Sequence, residues 1–188
     1  MLLTSRALWP RRRLARDEVR AEILNQMRTL PCWQCGKYLG SMLVFDFGEK
    51  VIVPGMRGRQ IAQGEATLGV RDCYWKLAQG RQTIADSNSI DDESAADLLL
   101  CVQGAEICDL VVSKPDFIDL KFSNNVTLSL DTTNRNETQD CIAEFVVPDG
   151  RIYEVTRRGH YYLSGQVSTV RMSGTEKKRP EKKEPRSN

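Results

Sequence analysis

The sequence predicts an α+β protein built mainly of antiparallel sheet, with an N-terminal helix and a second short helix near residues 91–102. Two observations carry this prediction. Short segments of alternating apolar and polar residues are separated by turn residues about every 8–12 positions, which is typical of antiparallel strands. Strands never alternate with long helical segments, which argues against a doubly wound parallel sheet.

The N-terminal helix is predicted over residues 17–29. Val19, Ile23 and Met27 recur every four residues, so they form one apolar stripe on a helix with charged residues around it. Pro31 follows the predicted end, where a residue that cannot continue a helix is common.

Period-two alternation dominates the rest of the chain. "SMLVFDFGEKVIV" predicts two strands separated by a turn at Gly48 and Glu49, and residues 54–65 predict a Gly-rich loop. "AQGRQ" predicts the turn of a hairpin. "DDESAADLLLCVQG" predicts the second helix, because a capping residue and acidic residues occupy its predicted start. Five short strands follow: "AEICDLVVS", "FIDLKFS", "NVTLSLDT", "CIAEFVVP" and "RIYEV". Asn124–Asn125 and Pro148–Asp149–Gly150 suit tight turns between them, and "HYYLSGQVSTVRM" predicts an additional edge strand.

The length and composition predict one globular domain. The chain has 188 residues, of which 40% are hydrophobic and 28% charged. We expect residues 1–16 to be a disordered or variable basic leader, residues 17–173 to be the domain, and residues 174–188 to be a disordered charged tail. The leader is rich in arginine, so a mitochondrial targeting segment is the alternative. No apolar run is long enough for a membrane span, and we expect a cytoplasmic location.

Charge is unevenly distributed along the chain, although the formal net charge is only +2. Both ends are basic, whereas residues 84–120 hold nine carboxylates against the single base Lys114. Four of these acids lie at the start of the predicted second helix and are the candidate partner-binding residues: Asp91, Asp92, Glu93 and Asp97. The structural alternative is that acidic residues are favoured at a helix N-terminus without any partner.

The six cysteines include one CxxC pair, Cys32 and Cys35, in "LPCWQCGK". A redox pair opens a helix in proteins of the thioredoxin kind, whereas this pair is expected to follow a helix and precede a strand. A zinc site needs four ligands, and the other cysteines are scattered singly. We therefore interpret both residues as reduced structural thiols, and predict no metal and no cofactor.

Catalytic signatures are weak. The chain contains one histidine, His160, and neither a GxxxxGK[ST] nor a GxGxxG phosphate-binding motif. Arg57 and Arg59, in the predicted loop, could bind a phosphate, but exposed arginines are common on loops. These residues support an alternative hypothesis, in which a small enzyme or ligand-binding domain has a cleft near Arg57, Arg59 and His160.

From residue 36 to residue 155 the chain resembles a group of small bacterial proteins of unknown biochemical activity. The segments that carry the resemblance are "GSMLVFDFGE", "CYWKLAQGRQTIADSNS", "DLKFSNNVTLSL" and "EFVVPDGRIYEV". Some relatives of that group resemble immunity proteins that are kept beside secreted toxins. The resemblance therefore implies a binding role without catalysis.

The charge pattern and the resemblance together predict a non-catalytic cytosolic binding protein. It would neutralise a basic toxin through the acidic segment, because a toxin that acts on nucleic acid is basic and is attracted by a carboxylate-rich face. We expect a protein partner, with no membrane contact. A weaker third hypothesis is a mobile-element protein whose basic ends bind nucleic acid, but the interspersed glutamates of the tail argue against it.

Overall fold

The computed structural model describes residues 11–37, 42–54, 59–71, 73–88, 99–114, 117–131, 133, 141–156, 158 and 160–166. Within these residues lie one complete α-helix, α1 (Arg16–Met27), and a 3-10 turn, Leu100–Val102. The strands are β1 (Arg12–Leu14), β2 (Cys32–Lys37), β3 (Leu43–Pro54), β4 (Gln60–Val70), β5 (Tyr74–Gln79), β6 (Gln82–Asp86), β7 (Ile107–Lys114), β8 (Phe117–Phe122), β9 (Val126–Asp131), β10 (Cys141–Val146), β11 (Arg151–Thr156) and β12 (Tyr161–Gln166).

The strands form two antiparallel sheets. The large sheet has seven strands in the order β1-β12-β11-β10-β4-β3-β2, and the small sheet has five in the order β6-β5-β9-β8-β7. The small sheet is therefore made from one continuous stretch of chain, β5 to β9. The large sheet combines both ends of the domain, joined where β10 pairs with β4. The prediction of a mainly antiparallel fold with an N-terminal helix is confirmed.

A single hydrophobic core lies between the two sheets and α1. Phe45 of the large sheet and Phe122 of the small sheet meet there, with ring centroids 6.2 Å apart. Val19, Ile23 and Met27 of α1 are fully buried, as their spacing predicts. Burying such apolar side chains supplies most of the free energy that favours the folded state.

Two predictions about the middle of β3 and β4 are wrong. Gly48 and Glu49 do not form a turn, because β3 runs through them as one strand to Pro54. Gly48 has φ 73° and begins a bulge in which residues 48 and 49 lie opposite residue 65 alone. The predicted loop 54–65 also contains the start of β4, at Gln60.

The predicted second helix is described only at its end, where Leu99 is helical and Leu100–Val102 form a 3-10 turn, because residues 89–98 lie outside the described residues. Two elements differ from the prediction. Strand β12 is not at an edge, because it pairs with β1 on one side and β11 on the other. Arg12–Leu14, within the predicted leader, supply that edge strand. The two predicted turns before β9 and β11 are confirmed, with positive φ at Asn125 and Gly150.

Candidate functional site

Strands β3 and β4 extend beyond the large sheet as a two-stranded hairpin. The last pairing of β3 with β2 is at Phe47, and the last pairing of β4 with β10 is at Thr67. Residues 50–54 and 60–64, which we call the arm, pair within the described part of the chain only with each other. Both outer edges of the arm are therefore free of sheet neighbours there.

The arm exposes apolar side chains. Ile52 is 46% exposed and Ile61 is 41% exposed. Ile52 pairs with Ala62, and Ile61 pairs with Val53, so the two isoleucines lie on opposite faces of the ribbon. A two-stranded ribbon is marginally stable alone in water, and a free edge beside apolar side chains favours pairing with another chain. The arm therefore combines exposed apolar side chains with strand edges that are unpaired among the described residues.

A buried polar group fixes the arm at its root, which is the part of β3 and β4 near Asp46 and Gly64 where the two strands leave the large sheet. The backbone N–H of Gly64 donates to Asp46 Oδ1 at 3.0 Å, and the Thr67 hydroxyl donates to the same oxygen at 2.9 Å. Burial raises the pKa of Asp46, and these two hydrogen bonds oppose that rise. A Cβ at Gly64 would lie 2.6 Å from the backbone N and O of Phe47. The close approach of the two strands therefore excludes every residue except glycine at this position.

Strand β2 contacts the same root. The N–H of Gly48 donates to the Pro31 carbonyl at 3.0 Å, and Lys50 Nζ lies 4.6 Å from the centroid of the Trp33 ring. Such a cation–π contact is worth about 0.5–1 kcal/mol at an exposed site. This contact links the start of the arm to β2 at Trp33.

Cys32 and Cys35 lie within β2, and not between a helix and a strand as the sequence analysis expected. Cys32 pairs with Phe47 and Gln34 with Asp46, so Trp33 is an extra residue that forms a bulge. Without the bulge, residues three apart in a strand would face opposite sides. With it, Cys35 lies opposite Phe45 and faces the core like Cys32.

The two thiols lie close enough to interact with each other, and Cys32 Sγ donates a hydrogen bond to the Gln34 carbonyl at 3.4 Å. Cys32 is fully buried and Cys35 partly so. The interaction with Cys35, together with burial, holds the pKa of Cys32 far above its usual range, whereas the interaction with Cys32 lowers the pKa of Cys35. Cys35 itself donates to the Leu99 carbonyl at 2.7 Å. Cys101, in the adjacent 3-10 turn, is near enough for Cys35 to contribute to the rise in its pKa, of which burial is the larger cause.

The structure does not bring Arg59 and His160 together. Arg59 is exposed and immediately precedes β4 at the far end of the arm. His160 lies at the opposite end of the sheet, where its carbonyl accepts the N–H of Thr156. The length of β4 places about 30 Å of strand between these ends, at roughly 3.3 Å per residue. Arg57 lies outside the described residues, and the separation of Arg59 from His160 does not allow these two residues to line one cleft.

The four acidic candidates Asp91, Asp92, Glu93 and Asp97 also lie outside the described residues. Other carboxylates of the acidic segment serve internal contacts. Asp109 pairs with Arg20 of α1 at 2.7 Å and lies 3.9 Å from Lys121 Nζ. The hydrogen bond from Arg20 is the largest cause of the lowered pKa of Asp109. Part of the acidic charge is thus used to hold α1 against β7 and β8.

A second buried polar group was missed by the sequence analysis. Glu154 of β11 is 2% exposed and pairs with Arg11, which also lies over the Tyr162 ring at 4.9 Å. The neighbouring pair on the same sheet face is Arg71 with Glu144, at 3.1 Å. The sequence signals for this pair are weak: a carboxylate within an alternating strand, and a leader that is rich in arginine. The Arg11–Glu154 pair fastens the start of β1 to the large sheet, whereas the Arg71–Glu144 pair links the end of β4 to β10.

Comparison with known proteins finds no similar family, protein or structure: no family model matches the chain, and neither curated proteins nor solved structures give a match. Among the described residues, no group of three or more His, Cys, Asp or Glu side chains is arranged to hold a metal ion. In the same residues, no helix has the length and apolar character needed to cross a membrane. All six cysteines are free thiols.

Proposed function

We propose that this chain is a non-catalytic binding protein that holds a basic partner protein, in the manner of an immunity protein that neutralises a toxin. The observation that carries the proposal is the arm, whose two isoleucines are exposed at 46% and 41% and whose edges are unpaired in the described residues. A partner strand can add to such an edge, gaining main-chain hydrogen bonds and pockets for alternate side chains.

The acidic segment supports a basic partner. Asp91, Asp92, Glu93 and Asp97 are close in sequence, with no basic residue between them. Complementary charge increases the association rate and orients the approach, and its effect falls with added salt. We assign the arm to affinity and these four acids to steering. The six free thiols fit a reducing compartment, so we place the protein in the cytoplasm.

Affinity capture with matched variants tests this assignment. The tagged full-length chain, an Ile52→Thr/Ile61→Thr variant and a Phe117→Thr control are incubated with lysate of the cells that make the protein. Phe117 is a suitable control because it is also an exposed apolar residue, at 37%, but lies on the small sheet. We expect one stoichiometric basic protein with the wild type and the control, and its loss with the arm variant.

A second series separates steering from contact. Neutralising Asp91, Asp92, Glu93 and Asp97 to their amides should slow association several-fold at low salt and have little effect at high salt. His160→Ala should leave capture unchanged. Equal capture by the wild type and the arm variant would overturn the role of the arm, and a missing or acidic partner would overturn the binding proposal itself.

A further inference from the structure

We propose that Cys32 and Cys35 are a reversible redox site that forms an intramolecular disulfide by exchange with a disulfide such as oxidised glutathione. The inference does not depend on what the arm binds. It rests on the bulge at Trp33, which places both side chains on the core face of β2, opposite Phe47 and Phe45.

A disulfide can form if the bulge tightens. Residues opposite Phe45 and Phe47 are two strand positions apart, which corresponds to about 6.6 Å between Cα atoms, and parallel side chains keep their Cβ atoms nearly as far apart. Disulfides span Cα distances of about 4.4–6.8 Å but need Cβ atoms about 3.5–4.5 Å apart, so the backbone at Trp33 must shift to bring the Cβ atoms together. The two thiols are close enough to interact, and a strained bond is easily reduced again.

The environments of the two sulfurs assign their roles. Cys35 is partly exposed whereas Cys32 is fully buried, so Cys35 is the thiol that an external disulfide can reach. The interaction with Cys32 also lowers the pKa of Cys35, which favours its thiolate as the attacking group. Its thiolate attacks one sulfur of oxidised glutathione, forming a mixed disulfide and releasing one glutathione thiolate. Cys32 then loses its proton and attacks the Cys35 sulfur, which releases the second glutathione. Two protein thiols are oxidised to one disulfide while one glutathione disulfide is reduced to two thiols.

The disulfide would change the root of the arm. It closes a ring across Trp33, the residue that Lys50 of β3 contacts. It also removes the proton that Cys35 donates to the Leu99 carbonyl, so the 3-10 turn Leu100–Val102 loses a contact with β2. The redox state of the pair is thereby coupled to both neighbours of β2.

Thiol trapping on the folded, full-length protein tests the site. The protein is equilibrated with glutathione buffers of increasing oxidised fraction, quenched with an alkylating reagent under native and then denaturing conditions, and digested with trypsin. Cleavage after Arg28 and Lys37 releases residues 29–37, which contain these two cysteines and no other. We expect this peptide to carry no alkyl group in oxidising buffer and to be two hydrogen masses lighter than the unmodified dithiol peptide, and we expect alkylation of both cysteines to return after reduction with dithiothreitol.

Variants distinguish this pair from neighbouring thiols. Cys108→Ser removes an exposed cysteine elsewhere and should leave the transition unchanged, as should Cys101→Ser. Cys35→Ser should abolish oxidation of Cys32, and circular dichroism establishes that the variant is folded. The proposal is overturned if the wild-type peptide keeps both alkyl groups in all native buffers, retains a stable glutathione adduct, or is linked mainly to the peptide that contains Cys101.

Discussion

The backbone N–H of Gly64 donates to the carboxylate of Asp46 at 3.0 Å, at the position where the arm leaves the large sheet. Asp46 is only 6% exposed. A buried carboxylate is costly unless hydrogen bonds satisfy it, and here the bonds from Gly64 and Thr67 do so. The geometry that aims the arm is therefore built into the domain and does not require a partner.

Substitution of Asp46 should reveal this role through the pH dependence of stability. Burial raises the pKa of Asp46 above that of the unfolded chain, so the folded state binds more protons in the interval between the two values. Stability should consequently fall as pH rises through that interval. Asp46→Asn should remove this component of the pH dependence while its carbonyl still accepts both hydrogen bonds. Urea unfolding at several pH values measures it.

Asp46→Ala provides the contrast. It leaves the Gly64 N–H without its acceptor in a buried site, which should lower the free energy of unfolding by about 1–3 kcal/mol at pH 7. If the Ala and Asn variants unfold at the same urea concentration, the hydrogen bond to Gly64 has no structural role.

A methyl group at Gly64 should strongly destabilise the root of the arm. Its Cβ would lie 2.6 Å from three backbone atoms, belonging to Phe47 and Ala66. Such overpacking costs about 1–3 kcal/mol or more, because backbone atoms cannot move aside as side chains do. Gly69 in the same strand is the control, since the nearest atom to its added Cβ is 4.0 Å away. Thermal unfolding of Gly64→Ala and Gly69→Ala compares them, and equal melting temperatures would contradict the argument.

The contact between α1 and β7 should weaken in acid. The pKa of Asp109 is held below its ordinary value, mainly by the hydrogen bond from Arg20. This contribution to stability is present above the pKa of the unfolded chain and is lost as pH falls through the lower pKa of the folded state. The pair is partly exposed, so a double-mutant cycle of Arg20→Gln and Asp109→Asn should give a coupling of about 0.2–1 kcal/mol at pH 7.

The exposed pair Arg16–Asp17, also on α1, is the control for that cycle. Its side chains are 55% and 82% exposed, and solvent screening should reduce its coupling to nearly nothing. A coupling for Arg20 and Asp109 no larger than that of the control would show that the contact does not stabilise the helix.

The sequence predicted those elements whose signals are local. The stripe of Val19, Ile23 and Met27 predicted both the helix and its buried face, because helical spacing alone determines which side chains share a side. The turns at Asn125 and Gly150 were predicted for a similar reason, since few residues adopt positive φ.

The candidate site escaped prediction because it depends on two bulges. Gly48 is equally compatible with a turn or with a bulge in a continuing strand, and pairing with the distant strand β4 selects the bulge. A strict period-two pattern likewise places Cys32 and Cys35 on opposite faces, and only the extra residue Trp33 reverses this. Register between strands is set by partners far away in sequence, so neither bulge is visible locally.

The attachment of strand β1 to the large sheet should depend more on Arg11 than on the three residues of β1 itself. These three residues have the sequence Arg-Arg-Leu. Glu154, which Arg11 reaches across β12, lies on β11 and is almost fully buried. Arg11→Ala would weaken the neutralisation of that carboxylate, which should cost about 1–3 kcal/mol of unfolding free energy. Adding Glu154→Gln should recover much of the loss, because a neutral amide is cheaper to bury than a charge. Arg71→Ala should cost less, since its partner Glu144 is 19% exposed. If Arg11→Ala unfolds like the wild type, other contacts must hold β1 in place.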